Sequence, residues 1–363
     1  MTVDDHQLRA LRTEDGSFSL FSPAVGEAFH SGRGALAEAR SKFVEPAALE
    51  RWRPGKRLRV VDVGVGTGSN SAALLEAVAD AGLELEWWGL ELDREPLRLA
   101  LADAGFRGQW QPRALQRLQE LCNGAQMLWG DARARLPQLL DQRRGQIDLV
   151  LMDAFSPSRC PQLWSVEFLA GLGTLLQPGG RLLTYCSAAA VRQGLRLAGL
   201  EIASIAAPSG LRAQRNDWSG GTAASPTALG DDPRLRPLSP MELEHLNTTA
   251  AEPYRDPTGR ASRSTILQER QRRQLQQLAG GQYGNGEHRR RRATGAESTG
   301  GARRRSPVPS GAASCWWPPP RCRPAAAAGA VAAPAGSRCG WRFPWGRGRA
   351  RRRWCAGAPA PSG

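Results

Sequence analysis

No pair among the seven cysteines has the Cys-x-x-Cys spacing of a zinc or redox site, and the four histidines, His6, His30, His245 and His288, are scattered along the chain. A metal centre recognisable from spacing is therefore excluded, and reduced thiols with no structural metal are expected. There is no apolar run long enough to cross a bilayer or to form a signal core, and the opening Met-Thr-Val-Asp-Asp-His is acidic rather than basic. The expected location is cytoplasmic, with no membrane partner. Lysine is missing from residue 277 onward, where 16 arginines face only Glu287 and Glu297. Residues 1–276 hold 33 basic and 32 acidic side chains, so the net charge of +15 resides almost wholly in the tail. A strongly basic chain usually points to nucleic acid or a membrane surface; here the ordered part is nearly neutral.

The tail also lacks helix or strand periodicity. It is built of Arg, Ala, Pro and Gly with isolated Trp and Cys, and such a composition cannot bury a core, so residues 277–363 are expected to be disordered. Two readings stand for it. Arginines interleaved with Trp316, Trp317, Trp341, Trp345 and Trp354 could neutralise phosphates and stack on bases, which would suit a non-catalytic RNA-binding protein. Alternatively the segment is out-of-frame translation of a GC-rich gene, and arginine without lysine, with Trp and Cys where no structure needs them, favours this second reading.

What is present centres on Leu58-Arg-Val-Val-Asp-Val-Gly-Val-Gly-Thr-Gly-Ser-Asn70. Val60, Val61 and Val63 are β-branched and read as a buried parallel strand, and Gly64, Gly66 and Gly68 allow a tight turn and close approach to a ligand. Ser69 or Asn70 is expected to cap a helix from about 71 to 79. Ahead of this unit, Asp15–Phe21 alternates like a short hairpin strand. Ala35–Leu49 has helical spacing until Pro46 interrupts it, which makes a lid or a plain covering helix. After it come a second strand ending at Glu91 and Asp93, a helix over 95–104, and a helical run around Leu115, Leu118 and Leu121. A third strand, 125–129, leads to Gly130-Asp131. Helix 132–143 is expected to be interrupted or started late by Pro137. A fourth strand, 146–153, helix 164–176 stopping before Pro178-Gly-Gly180, and a fifth strand, 180–186, follow. Helix 188–198, strand 201–206 and a last short strand, 221–225, complete the alternation. Ser239-Pro-Met-Glu242 reads as a capping box, and 266–278 as a polar helix.

Such alternation implies an α/β fold with a doubly wound, mostly parallel sheet, in which ligands sit at the carboxyl ends of strands near the switch in strand order. Glu91, Asp131 and Asp153 are all expected at those ends. The glycine turn reads Gly-x-Gly-x-Gly with Asp62 just before it and Ser69 at the sixth position, so it is not the dinucleotide fingerprint Gly-x-Gly-x-x-Gly. It resembles motif I of class I S-adenosyl-L-methionine methyltransferases, a Rossmann-like fold. The resemblance implies cofactor contacts from Asp62, Gly64, Gly66, Gly68 and Asn70. A carboxylate at Glu91 could accept both ribose hydroxyls, and Asp131 could accept the adenine amino group. Asp153-Ala-Phe-Ser-Pro157 falls where amine-modifying methyltransferases present an acceptor and an aromatic, which makes Asp153 and Phe155 the candidate catalytic residues.

Residues 13–270 resemble the MnmC-type tRNA 5-methylaminomethyl-2-thiouridine methyltransferase domain. The motifs that carry this are Gly34-Ala-Leu-Ala-Glu-Ala-Arg40, Asp62–Asn70, Leu90-Glu91, Trp129-Gly-Asp131, Asp153-Ala-Phe-Ser-Pro-Ser-Arg-Cys-Pro-Gln-Leu-Trp164, Pro178-Gly-Gly180, Thr184–Ala188 and Val191–Leu195. The resemblance implies methylation of the aminomethyl group on a tRNA wobble uridine, with tRNA as partner. Two-domain members carry a fused flavin oxidase, which nothing after residue 276 resembles, so the stand-alone form without flavin is expected. The expected organisation is a lid and substrate segment at 1–57, the methyltransferase domain with a helical extension at 58–276, and the tail. Arg33, Arg40, Arg159, Arg192, Arg196, Arg212 and Arg215 are candidates for phosphate contacts. The alternatives are an N-methyltransferase or aminopropyltransferase acting on a small amine, or the RNA-binding tail above.

Overall fold

The computed structural model of the chain describes residues 7–32, 34–206 and 219–280. Arg33, Arg212, Arg215 and the tail from 281 onward, all singled out above, lie outside the described residues. Three short strands, β1 (Arg9–Arg12), β2 (Phe18–Ser22) and β3 (Glu27–Ala28), form a small antiparallel sheet. The turn between β1 and β2 is built on Asp15, whose carboxylate accepts from the Ser17 amide and from the hydroxyls of Thr13 and Ser17.

The covering helix does not end at Pro46. It runs as α1 (Ala35–Glu38), a π-helical stretch Ala39–Val44 and α2 (Glu45–Ala47), and it stops at Ala48 in the left-handed region, φ 55°. Pro46 lies in the first turn of α2, where its missing N–H leaves no helical bond unmade. The widened turn before it lets the chain pass through without a break. Phe43, Ala39 and Ala47 are fully or nearly buried and share one core with Phe18, Leu20, Val60 and Leu74.

The main sheet takes its strands from β4 (Arg57–Val63), β5 (Glu84–Glu91), β6 (Met127–Trp129), β7 (Ile147–Met152), β8 (Leu176–Thr184), β9 (Glu201–Ile205), β10 (Gly221–Ser225) and β11 (Leu235–Arg236). Their order is β11-β9-β10-β8-β7-β4-β5-β6. The five strands from β8 to β6 run parallel, whereas β10 inserts antiparallel between β8 and β9. Order reverses between β4 and β7, where Val60–Val63 pair with Leu149–Met152. All of β7 is buried, as a strand covered on both faces must be.

Helices α3 (Ser69–Asp80), α4 (Glu95–Ala102), α5 (Ala104–Arg107), α6 (Pro112–Asn123), α7 (Ala132–Arg143), α8 (Val166–Leu175) and α9 (Ala189–Leu197) cover the two faces. One core gathers Leu74, Leu97 and Leu118 with Trp87; the other gathers Leu139, Phe168, Leu172 and Leu195 with Val61 and Val150. The doubly wound, mostly parallel α/β sheet expected from the alternation is the one observed.

Four local expectations are corrected. Helix α3 begins at Ser69 with Gly68 as N-cap, at φ 82° and with no side-chain cap, because the left-handed turn leaves Ser69 and Asn70 inside the first helical turn. Pro137 neither interrupts nor delays α7, which runs through it from its cap at Asp131. Helix α8 ends at Leu175, three residues before Pro178; Pro178-Gly-Gly180 lies instead within β8, where the register against β7 slips and Gly179 takes φ 78°. Arg192 is not available to phosphate. It is 1% exposed and pairs with Glu242 at 2.8 Å, while donating to Thr222, Ser204 and Ser219. The remaining helices are α10 (Pro240–Leu246), which has the expected Ser239/Glu242 capping box, and α11 (Arg263–Ala279). No helix among the described residues is long and apolar enough to cross a membrane.

Candidate active site

The site forms where β4 and β7 end side by side. The glycine turn after β4 has Gly64, Gly66 and Gly68 all at positive φ, between 55° and 82°, which a side chain would strain. Their surroundings differ. A Cβ on Gly64 would lie 2.9 Å from the Asp153 carbonyl oxygen, and one on Gly66 would lie 3.1 Å from the Phe29 ring. A Cβ on Gly68 would instead meet Leu97 and Leu118 at about 3 Å, so this third glycine serves the packing of the helix start on the core.

The first turn of α3 holds the two carboxylates nearest the turn. Ser71 Oγ donates to Asp62 Oδ2 at 2.6 Å, and Asn70 Nδ2 donates to Asp153 Oδ2 at 2.7 Å. Asp62 is fully buried and its Oδ1 has no partner among the described residues. Burial pushes its carboxyl up to about 7, against the Ser71 bond. Asp153 is likewise pushed up to about 7 by burial, with Asn70 acting in the opposite direction. Its Oδ1 takes no hydrogen bond among the described residues.

Glu91 closes the turn from the next strand. Its Oε2 accepts from the Gly66 amide at 2.8 Å and its Oε1 from Leu92 and Asp93. Burial raises its carboxyl, although these amides favour the charged form. Asp131 is engaged differently. It caps α7 through the Arg133 amide and forms a bidentate pair with the Arg133 guanidinium, which also binds Asp256 at 2.7 Å. Burial opposes ionisation of Asp131, but Arg133 outweighs it and holds the carboxyl low. Asp131 thus lies at the sheet end but is already paired.

The loop after β7 is fixed residue by residue. Tyr185 Oη donates to the Ala154 carbonyl at 3.0 Å, and Trp164 Nε1 donates to the Phe155 carbonyl at 2.8 Å. Glu27 Oε2 accepts from the Ser156 amide at 2.9 Å. Phe155 meets Phe29 edge to face, ring centroids 4.9 Å apart. The sheet, the covering segment and the cofactor-type turn therefore converge on this loop. Glu38 and Lys42, an ion pair at 2.6 Å, stand near Asp153 on the covering helix, with Lys42 over the Tyr185 ring. Phe29, Glu27 and Tyr185 were missed as site residues. They lie in Glu27–Gly34 and Thr184–Ala188, but only the three-dimensional closure gives them a place. Two hollows elsewhere, of about 270 Å³ beside Gln193 and Arg273 and about 850 Å³ beside Trp52 and Ala77, share no lining residue with this region. Phe29 packs over Gly66 at the mouth of the turn.

A family model described as S-adenosyl-L-methionine-dependent methyltransferase matches residues 106–212. MnmC2 from Aquifex aeolicus is similar in structure, with TM-score 0.61, 28% identity, and coverage of 74% of this chain and 85% of that one. The bifunctional tRNA 5-methylaminomethyl-2-thiouridine biosynthesis protein MnmC of Pseudomonas aeruginosa is 32% identical over 234 residues, 58% of this chain and 35% of that protein. The Cupriavidus necator protein of the same name is 30% identical over 198 residues, 50% of this chain and 30% of that protein. The chain is thus similar to MnmC-type methyltransferases. It spans about a third of the length of these bifunctional relatives. The family model over residues 106–212 is that of an S-adenosyl-L-methionine-dependent methyltransferase, and the observed residues fit that cofactor: a buried acceptor without a donor at Asp62 Oδ1, a turn in which a Cβ on Gly64 or Gly66 would lie about 3 Å from its neighbours, and a carboxylate at the end of β5.

Proposed function

We propose that the chain methylates the amino nitrogen of a 5-aminomethyl-(2-thio)uridine at the wobble position of tRNA. The observation that carries this reading is Asp153: a carboxylate with one oxygen held and the other unengaged, at the switch point of the sheet, beside Phe155. The names of the relatives supply the substrate.

Asp62, Gly64, Gly66 and Glu91 would hold S-adenosyl-L-methionine, Asp62 by accepting from its amino group and Glu91 by accepting from its ribose. Bound there, the cofactor supplies an electrophilic methyl group on a sulfonium. Asn70 is better read through its contact with Asp153, and Asp131 as the cap of α7 that could still take a hydrogen bond from adenine. The aminomethyl group is a cation at neutral pH and must lose a proton before its lone pair can react. Asp153 Oδ1 accepts that proton, and a carboxyl raised to about 7 suits a base working near neutrality. Phe155, backed by Phe29 and fixed through Trp164, flanks the uracil and orients the nitrogen. Exposed Arg40, Arg159 and Arg196 are left as candidates for phosphate.

Transfer of labelled methyl from S-adenosyl-L-methionine to undermodified tRNA, with and without residues 277–363, tests the reading. Asp153→Ala is expected to lower turnover at least about 100-fold with cofactor affinity changed less than about 3-fold. Unchanged turnover would remove Asp153 from this role, and no transfer by the wild type to any tRNA would remove the substrate.

A further inference from the structure

Three consecutive side chains at the start of α3 each take a partner. Ser69 meets Thr67 at 2.8 Å, Asn70 meets Asp153 at 2.7 Å and Ser71 meets Asp62 at 2.6 Å. Ser, Asn and Ser are poor helix formers, and no side chain caps the helix, so this turn is polar for a reason other than helix stability. All three are nearly buried, Asn70 at 4%. Asn70 is anchored by the helix on one side and by Gly68, packed on Leu97 and Leu118, on the other. Its amide therefore points at Asp153 from a rigid element, not a loop.

We propose that Asn70 is a positioning residue for Asp153: its Nδ2 holds Oδ2 and leaves Oδ1 aimed at the substrate amine. This rests on the reading of Asp153 as the amine's acceptor. Motif I would otherwise make Asn70 a cofactor contact, and the two assignments predict different kinetics. A hydrogen bond from an amide to a carboxylate stabilises the charged form, here against burial. The other charged and titratable groups facing Asp153 are Glu38 and Lys42 from the covering helix, Asp62 from β4 and Tyr185 after β8. They stay in place when Asn70 is changed, so a shift in the titration of Asp153 reports the lost bond.

The test compares wild type, Asn70→Ala and Asn70→Ser in three measurements. These are the pH dependence of kcat for methyl transfer to undermodified tRNA, S-adenosyl-L-methionine Kd by calorimetry, and Tm. For Asn70→Ala the rising limb of kcat is expected to move up by about one to two pH units, the worth of a charge-assisted bond. Near pH 7 this is a loss of about 5- to 50-fold that shrinks toward pH 9, with Kd within about 3-fold of wild type. Asn70→Ser, which keeps a shorter donor, is expected to fall between the two. A weakened Kd with an unmoved limb would overturn the proposal in favour of a cofactor contact. A loss equal at all pH values and matched by a lower Tm would overturn it in favour of a structural role. If the wild type itself transfers no methyl to tRNA, the substrate reading has failed and Asn70 is judged without activity. The Asp153 carboxyl, identified with Asp153→Asn, is then titrated by ¹³C NMR in wild type and Asn70→Ala, and only an upward shift in the variant upholds the contact.

Discussion

Asp62→Asn separates what the site costs in stability from what it does. The wild-type carboxyl is completely buried, with one oxygen bonded to Ser71 and the other unpartnered, and burial lifts it from 3.8 to about 7. A carboxyl whose folded value lies above its unfolded value binds its proton more tightly in the folded state. Its contribution is fully present below pH 4 and is lost as pH rises to about 7. The interval is about three units at 1.36 kcal/mol each, or about 4 kcal/mol. Asparagine has nearly the same shape, can still bond Ser71, and carries no charge at any pH.

The unfolding free energy of Asp62→Asn minus that of wild type should therefore climb by about 1.4 kcal/mol per pH unit between pH 5 and 7, then level off. Glu91 and Asp153 titrate in the same direction but are present in both proteins, so most of their effect cancels in the difference. Urea titrations of the cofactor-free protein followed by circular dichroism at pH 5, 6, 7 and 8 read this directly. With an m-value of about 3 kcal/mol/M, the change across the series is about 1 M in midpoint. In parallel, cofactor affinity should fall about 10-fold or more, because an acceptor for a charged donor has been lost. A stability difference that stays constant from pH 5 to 8 would refute the reasoning, since Asp62 would then not be charged at a cost.

Two further substitutions probe the frame. Gly64→Ala puts a Cβ 2.9 Å from the Asp153 carbonyl at φ 79°, so it should cost about 2 kcal/mol or more and depress methyl transfer. Gly16→Ala, with the same φ but open space around it, should cost only about 1 kcal/mol and leave transfer intact, as melting curves and turnover would show. Arg192→Met takes one of two guanidinium partners from the buried Glu242 carboxylate, which keeps Arg236 at 2.6 Å, and removes a donor from three hydroxyls. It should cost about 2–4 kcal/mol, roughly 5–10 °C in Tm by calorimetry.

The parallel sheet was legible in the sequence because its signals are local. Valine-rich β4, the glycine turn, the apolar run of β7 and the capping box at Ser239 each need only neighbouring residues to specify them. The same holds for the carboxylates at strand ends, since strand direction alone puts Asp62, Glu91 and Asp153 at one edge. Pro46, Pro137 and Pro178 misled for a physical reason. Proline removes one donor, and whether the chain breaks there depends on whether packing or a widened turn leaves that donor unneeded.

Tertiary structure alone decided which partners those residues have. Arg192 looks like any surface arginine in sequence, and only the approach of α10 and β10 makes it a buried ion pair. Asn70 and Asp153 are 83 residues apart, and the crossover that sets β7 beside β4 brings them to 2.7 Å. Phe29 reaches the glycine turn only because the small antiparallel sheet folds back over it. The sequence by itself determined the fold and the chemistry of the groups at the strand ends, because short-range pattern carries both. Their pairing, burial and raised carboxyl values came from long-range closure, which no stretch of the chain contains on its own.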